Sequence, residues 1–84
     1  MVNTIEDTVV YINKSCEIKK EVKNGERINS LTSNIVSKLI FYDRKENLIF
    51  EMYVDKLGNY SISNDVYKKN ENLFLLIGYN TFID

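Results

Sequence analysis

Between Asn34 and Ser63 the chain alternates and turns like an antiparallel meander, and this stretch limits the fold more than any other. Successive side chains of a strand point to opposite faces, so Leu48, Phe50, Met52 and Val54 share one side. Ile49, Glu51, Tyr53 and Asp55 share the other. Tyr60 and Ile62 alternate with Ser61 and Ser63 in the same way. Two polar turns punctuate the pattern, Asp43 to Asn47 and Asp55 to Asn59, and Gly58 in the second is free to take a positive φ. The spacing predicts strands at Ile35–Tyr42, Leu48–Val54 and Tyr60–Ser63. In the first of these, Ile35, Leu39 and Phe41 alternate with Val36, Ile40 and Tyr42, so both faces are apolar. Such a strand is expected to be central and buried, or to touch a partner.

A meander with an apolar face needs a lid, and the N-terminal third offers one. Ile5, Val9, Ile12 and Cys16 are spaced 4, 3 and 4 apart, as on one stripe of a helix. Asn3 or Thr4 suits the cap, and Glu6 and Asp7 suit the first turn. Lys19, Lys20 and Lys23 suit the last turn, and Asn24-Gly25 suits a left-handed stop. Residues 4–24 are therefore expected to be helical, with a hairpin about Asn24-Gly25 as the rival, because Thr8 to Ile12 is β-prone. Residues 65–78 are open in the same way. The apolar run Leu73 to Ile77 favours a fourth strand. A helix from Asp65 would put Lys68 and Lys69 in its first turn, against the dipole. Gly78 ends either version, and Phe82 and Ile83 suggest a docked tail.

The expected fold is α+β, with an N-terminal helix on an antiparallel three- to four-stranded meander, in one compact domain over residues 1–84. An all-β small barrel or sheet is the alternative.

Function is constrained first by what is missing. The sequence has no His, so Ser-His-Asp and Cys-His catalysis are excluded, and the commonest metal ligand is gone. Cys16 is the only cysteine, which forbids an internal disulfide and leaves no structural zinc set. It is expected to be a buried apolar residue. Asp43, Glu46 and Asp55 read as solvated turn residues without the spacing of a calcium loop. Gly25, Gly58 and Gly78 are isolated and form no phosphate-cradling loop. No catalytic residue, metal or cofactor is expected. With 11 basic and 12 acidic residues the net charge is −1, which argues against nucleic acid and anionic lipid. The longest apolar run falls far short of the ~20 residues of a membrane span. The first residues lack the basic and apolar regions of a secretory signal, so a cytoplasmic location is expected.

What remains is contact. The six tyrosines offer large, rigid surface with a polar tip, a residue type enriched in protein interfaces. Tyr53 and Ile49, with Glu51 between them, are expected on the sheet face away from the helix, joined by Tyr42 and Tyr67. The expected function is a non-catalytic protein-binding module that acts by occupancy. An inhibitor, immunity or accessory protein would fit. The abundance of Asn, Ile, Lys and Tyr points to A/T-rich codons, hence to a low-G+C bacterium, its phage or a mobile element. A small domain without staples also invites self-association, and a homodimer is expected. The alternative is a small-molecule or nucleotide-binding module with its ligand at a dimer boundary.

Overall fold

The computed structural model describes residues 5–31 and 33–82. Its elements in order are β1 (Glu6–Tyr11), α1 (Ser15–Lys23), β2 (Arg27–Ile28), β3 (Ile35–Tyr42), β4 (Leu48–Asp55), β5 (Tyr60–Ile62), β6 (Asp65–Tyr67) and α2 (Glu71–Asn80). The strands form one sheet in the order β1-β3-β4-β5-β6-β2. β1 runs parallel to β3, and every other pair is antiparallel. The sheet ends in two edges, β1 and β2, so it does not close into a barrel. Neither helix is long and apolar enough to cross a membrane.

The meander stands where the alternation puts it. Its two long turns share one construction. In each, the residue after the turn's third position donates no ladder bond but takes a positive φ, Glu46 at 64° and Gly58 at 90°. Glu46 N donates to Asp43 O at 3.1 Å, and Asp43 N to Asn47 O at 3.0 Å. Gly58 N donates to Asp55 O at 3.1 Å, and Asp55 N to Asn59 O at 3.0 Å. This is the three-residue hairpin loop with a left-handed last residue. The aspartates finish both turns. Asp43 Oδ1 accepts from Lys45 N and Asn47 N, each at 2.9 Å. Asp55 Oδ1 accepts from Leu57 N and Asn59 N at the same distance. The bond from Asn47 N above all, joined by those from the Asn47 side-chain amide and Lys45 N, holds the Asp43 carboxyl below the usual carboxylate range. Asp55 departs from the expected solvated turn residue: it is 2% exposed, because the chain returning to β3 closes over this turn. There Ser33 Oγ and Asn34 O both accept from Lys56 N, at 3.1 Å.

The N-terminal third is corrected. Instead of one helix over residues 4–24 it holds a strand, a break and a short helix. The apparent stripe does not exist as a face: Val9 is 50% exposed on β1, Ile12 is fully buried, and Cys16 is exposed. Thr8, Val9, Val10 and Tyr11 are β-branched or aromatic, and pairing with β3 realises that preference. The helix starts only at Ser15, after Lys14 takes a left-handed φ of 55°. It buries Ile18 and Val22, one turn apart, and this phase turns Cys16 outward. The expected caps at Asn3 and Thr4 lie outside the described residues.

Gly25 also has a different task from the one expected. Asn24 ends the helix in ordinary right-handed backbone, and Gly25 has no positive φ. A Cβ on Gly25 would stand 2.7 Å from Tyr60 Oη and 3.1 Å from Tyr67 Cδ1. The glycine is there because the chain passes too close to two core tyrosines for any side chain.

The C-terminal segment is corrected as well. Ser63 and Asn64 turn the chain into β6, with a positive φ of 55° on Ser63. The fourth meander strand is thus three residues long, and Leu73 to Ile77 is helical. Asn70 caps this helix by accepting from Leu73 N at 3.1 Å. The helix begins at Glu71, so Lys68 and Lys69 precede it and Glu71 meets the positive end of the dipole. Gly78 lies within α2, not at its end.

Both helices pack on the same face of the sheet and touch each other. Ile18 and Val22 of α1 and Leu73 and Ile77 of α2 join Phe41, Met52, Tyr60 and Tyr67 in one core. Tyr60 and Tyr67 stack at 5.1 Å, and Phe74 meets Tyr60 edge-on at 5.9 Å. The Tyr60 hydroxyl is buried with no hydrogen-bond partner. Burial pushes its pKa above the ordinary phenol value, and Tyr67 and Glu21 add to the shift.

Candidate functional site

With both helices on one side, the other side of the sheet carries no covering element among the described residues. The strand registers define what it presents. One row crosses all six strands: Asp7, Lys38, Tyr53, Ser61, Val66 and Ile28 are successive cross-strand partners. A second row is Val9, Ile40 and Glu51, and a third holds Tyr11 and Tyr42. All of these are exposed or half-buried, while their strand neighbours Phe41, Met52, Tyr60 and Tyr67 are buried under the helices.

Lys38 organises the middle of this face. Its Nζ lies 3.8 Å from Glu51 Oε2 and 5.5 Å from the centroid of the Tyr53 ring. Glu51 first, then Tyr53, raises the Lys38 pKa. The cation is thus held flat across the sheet between an acid and an aromatic ring. At one end of the face the rings of Tyr11 and Tyr42 lie 5.9 Å apart, and Phe82 packs on Tyr11 at 5.8 Å. Phe82 N donates to Tyr11 O at 3.0 Å, and the Arg44 guanidinium sits 5.0 Å from the Phe82 ring centroid. The tail therefore docks on its own chain as far as Phe82; Ile83 lies outside the described residues.

Of the residues expected on this face, Tyr53, Glu51 and Tyr42 are brought together there. Ile49 and Tyr67 are not. Ile49 is the extra residue of a bulge: Phe41 pairs Phe50 while Tyr42 pairs Leu48. Strict alternation fails at such a point, and Ile49 packs against the core. Tyr67 is 4% exposed and stacked on Tyr60 beneath the helices. Sequence reasoning missed Lys38, Ile40, Val9 and Tyr11. The first two were visible as alternation partners of Tyr42. The last two were hidden by the expected helix.

Among the described residues, no group of three or more Cys, Asp or Glu side chains is placed to hold a metal ion. In comparisons with known protein families, with curated proteins and with solved structures, the chain matches none.

Proposed function

We propose that this chain is a non-catalytic protein-binding module that acts by occupancy through the open face of its sheet. The observation that carries the reading is the uncovered row structure of that face, with Tyr53, Tyr42, Tyr11, Ile40 and Val9 around the Lys38–Glu51 pair. Large apolar and aromatic groups left half-exposed gain from a partner that removes them from water. The central ion pair adds register, since a partner must match both of its charges. An inhibitor, immunity or accessory protein from a low-G+C bacterium, its phage or a mobile element fits this mode. A homodimer through the same face is the competing occupant. A ligand-binding role rests on a separate groove on the helix side.

The test compares native-host complexes captured by the wild-type chain and by a Tyr53→Ala, Ile40→Lys variant, both shown to be folded by circular dichroism. The expected result is a stoichiometric foreign protein bound by the wild type, with affinity reduced by about 2 kcal/mol or more in the variant. Equal retention by both chains would refute the face as the binding surface. A wild type that elutes as a dimer, and a variant that elutes as a monomer, would replace the foreign partner with a second copy.

A further inference from the structure

A groove of about 390 Å³ opens on the helix side of the sheet, between α1 and the strands β4, β5, β6 and β2. Its wall and floor are apolar: Val22 of α1, Phe50 of β4, Ile62 of β5 and Tyr67 of β6. Phe50 and Ile62 are only half-buried, so the helix leaves part of the sheet face unshielded. The rim is cationic. Lys19 and Lys23 stand one turn apart on α1, and Arg27 reaches in from β2. Among the described residues the only acid on the rim is Asp65, whose Oδ2 lies 3.3 Å from Arg27 Nη2. Three cations against one carboxylate is a local excess of positive charge on a chain whose net charge is −1. Ser63 also lines the groove, and it holds a left-handed φ of 55° at a position where turns favour glycine. Such retained strain gathers at binding sites.

We infer that this groove binds a small amphipathic monoanion, an organic carboxylate whose apolar body lies on Phe50, Ile62 and Tyr67 and whose head meets Lys19, Lys23 and Arg27. The volume falls within the range of small-ligand sites, at its lower end. Two features select a carboxylate over a phosphate. Arg27 already holds one carboxylate, that of Asp65, at its exposed rim, where a ligand can exchange with it. The Asp65 charge also remains nearby and repels a dianion more than a monoanion. Affinity then comes from apolar burial, and the charges set the orientation and the choice of head group. This site is independent of the open sheet face, because it lies on the opposite side.

The experiment uses the full chain and 8-anilinonaphthalene-1-sulfonate, a fluorescent monoanion with an apolar body, with decanoate, decanol and adenosine monophosphate as competitors. Decanoate is expected to displace the dye at least about tenfold better than decanol. The Lys19→Glu, Lys23→Glu variant is expected to bind decanoate about tenfold more weakly, since exposed charge contacts contribute modestly and two are reversed. Amide chemical-shift changes on adding decanoate should centre on Val22, Phe50, Ile62 and Ser63. Equal displacement by decanoate and decanol would remove the role of the cations. Preference for adenosine monophosphate would overturn the ligand class. Unchanged decanoate binding in a variant with wild-type circular dichroism, or shifts centred on Ile40 and Tyr53, would overturn the site.

Discussion

The two long turns of the meander are a matched pair that differ at one decisive position, and exchanging their residues should move stability in opposite directions. Glu46 and Gly58 occupy equivalent left-handed slots, at φ 64° and 90°. A residue with a Cβ loses roughly 1–2 kcal/mol there from contact with the backbone. Glycine avoids that loss but adds about 0.4–1 kcal/mol of freedom to the unfolded chain. Glu46→Gly should therefore stabilise the fold by about 0.5–1 kcal/mol. Gly58→Ala should destabilise it by about 1 kcal/mol, with a further small cost because the new Cβ would lie 3.0 Å from Lys69 Cδ. That atom belongs to a flexible side chain and can move aside. The turns sit at opposite ends of β4, about 25 Å apart at the strand's rise per residue, so the effects should add. The double variant should then unfold near the wild-type midpoint. Urea titrations followed by circular dichroism give the free energies, and each kcal/mol should appear as a shift of about 4–8 °C in Tm. A destabilising Glu46→Gly, or a neutral Gly58→Ala, would refute the left-handed slot as the origin of the difference.

Two further expectations concern buried and titrating groups. Tyr60→Phe removes a buried hydroxyl with no partner and should stabilise the chain by about 1 kcal/mol. Gly25→Ala should cost about 1–3 kcal/mol by overpacking, and less in the Tyr60→Phe background, because the closest clash is with that hydroxyl. A double-mutant cycle in urea with no coupling would disprove the contact. The depressed Asp43 pKa supplies stability that is present above its unfolded value of about 3.8 and is lost as pH falls through the folded value. Urea midpoints measured from pH 6 to pH 2 should therefore fall less steeply for Asp43→Asn than for the wild type.

The legible and illegible parts of this fold differ in kind. Residues 35–63 could be read because period-two alternation, two Asp-to-Asn turns and strand length all agree there. The N-terminal third could not, because the 4-3-4 spacing of Ile5, Val9, Ile12 and Cys16 imitates a helix across a strand and a break. The β-prone run Thr8 to Ile12 argued otherwise, but it is short, and the hairpin turn set beside it at Asn24-Gly25 is not where the chain pairs. Leu73 to Ile77 is too brief and too uniformly apolar to show a period. The cap at Asn70 was the sign that a helix starts late enough to leave Lys68 and Lys69 outside it. For the open face, alternation located Tyr53, Glu51 and Tyr42. The bulge misplaced Ile49, and the register of β6, which pairs Tyr67 with Tyr60, turned Tyr67 to the face under the helices.

The strand order has a consequence for how the chain is made. Both outer strands of the sheet come from its first thirty residues, whereas their hydrogen-bonding neighbours come later. Arg27 must wait for Tyr67, its partner across the far edge. At a synthesis rate of ~5–20 residues per second that interval is roughly 2–8 s. Through it β2 stays without its partner, while β1 can already pair with β3 and the central hairpins can close. α2 follows β6 in the chain and completes the hydrophobic interior, so the far edge of the sheet and its core close only after the central hairpins.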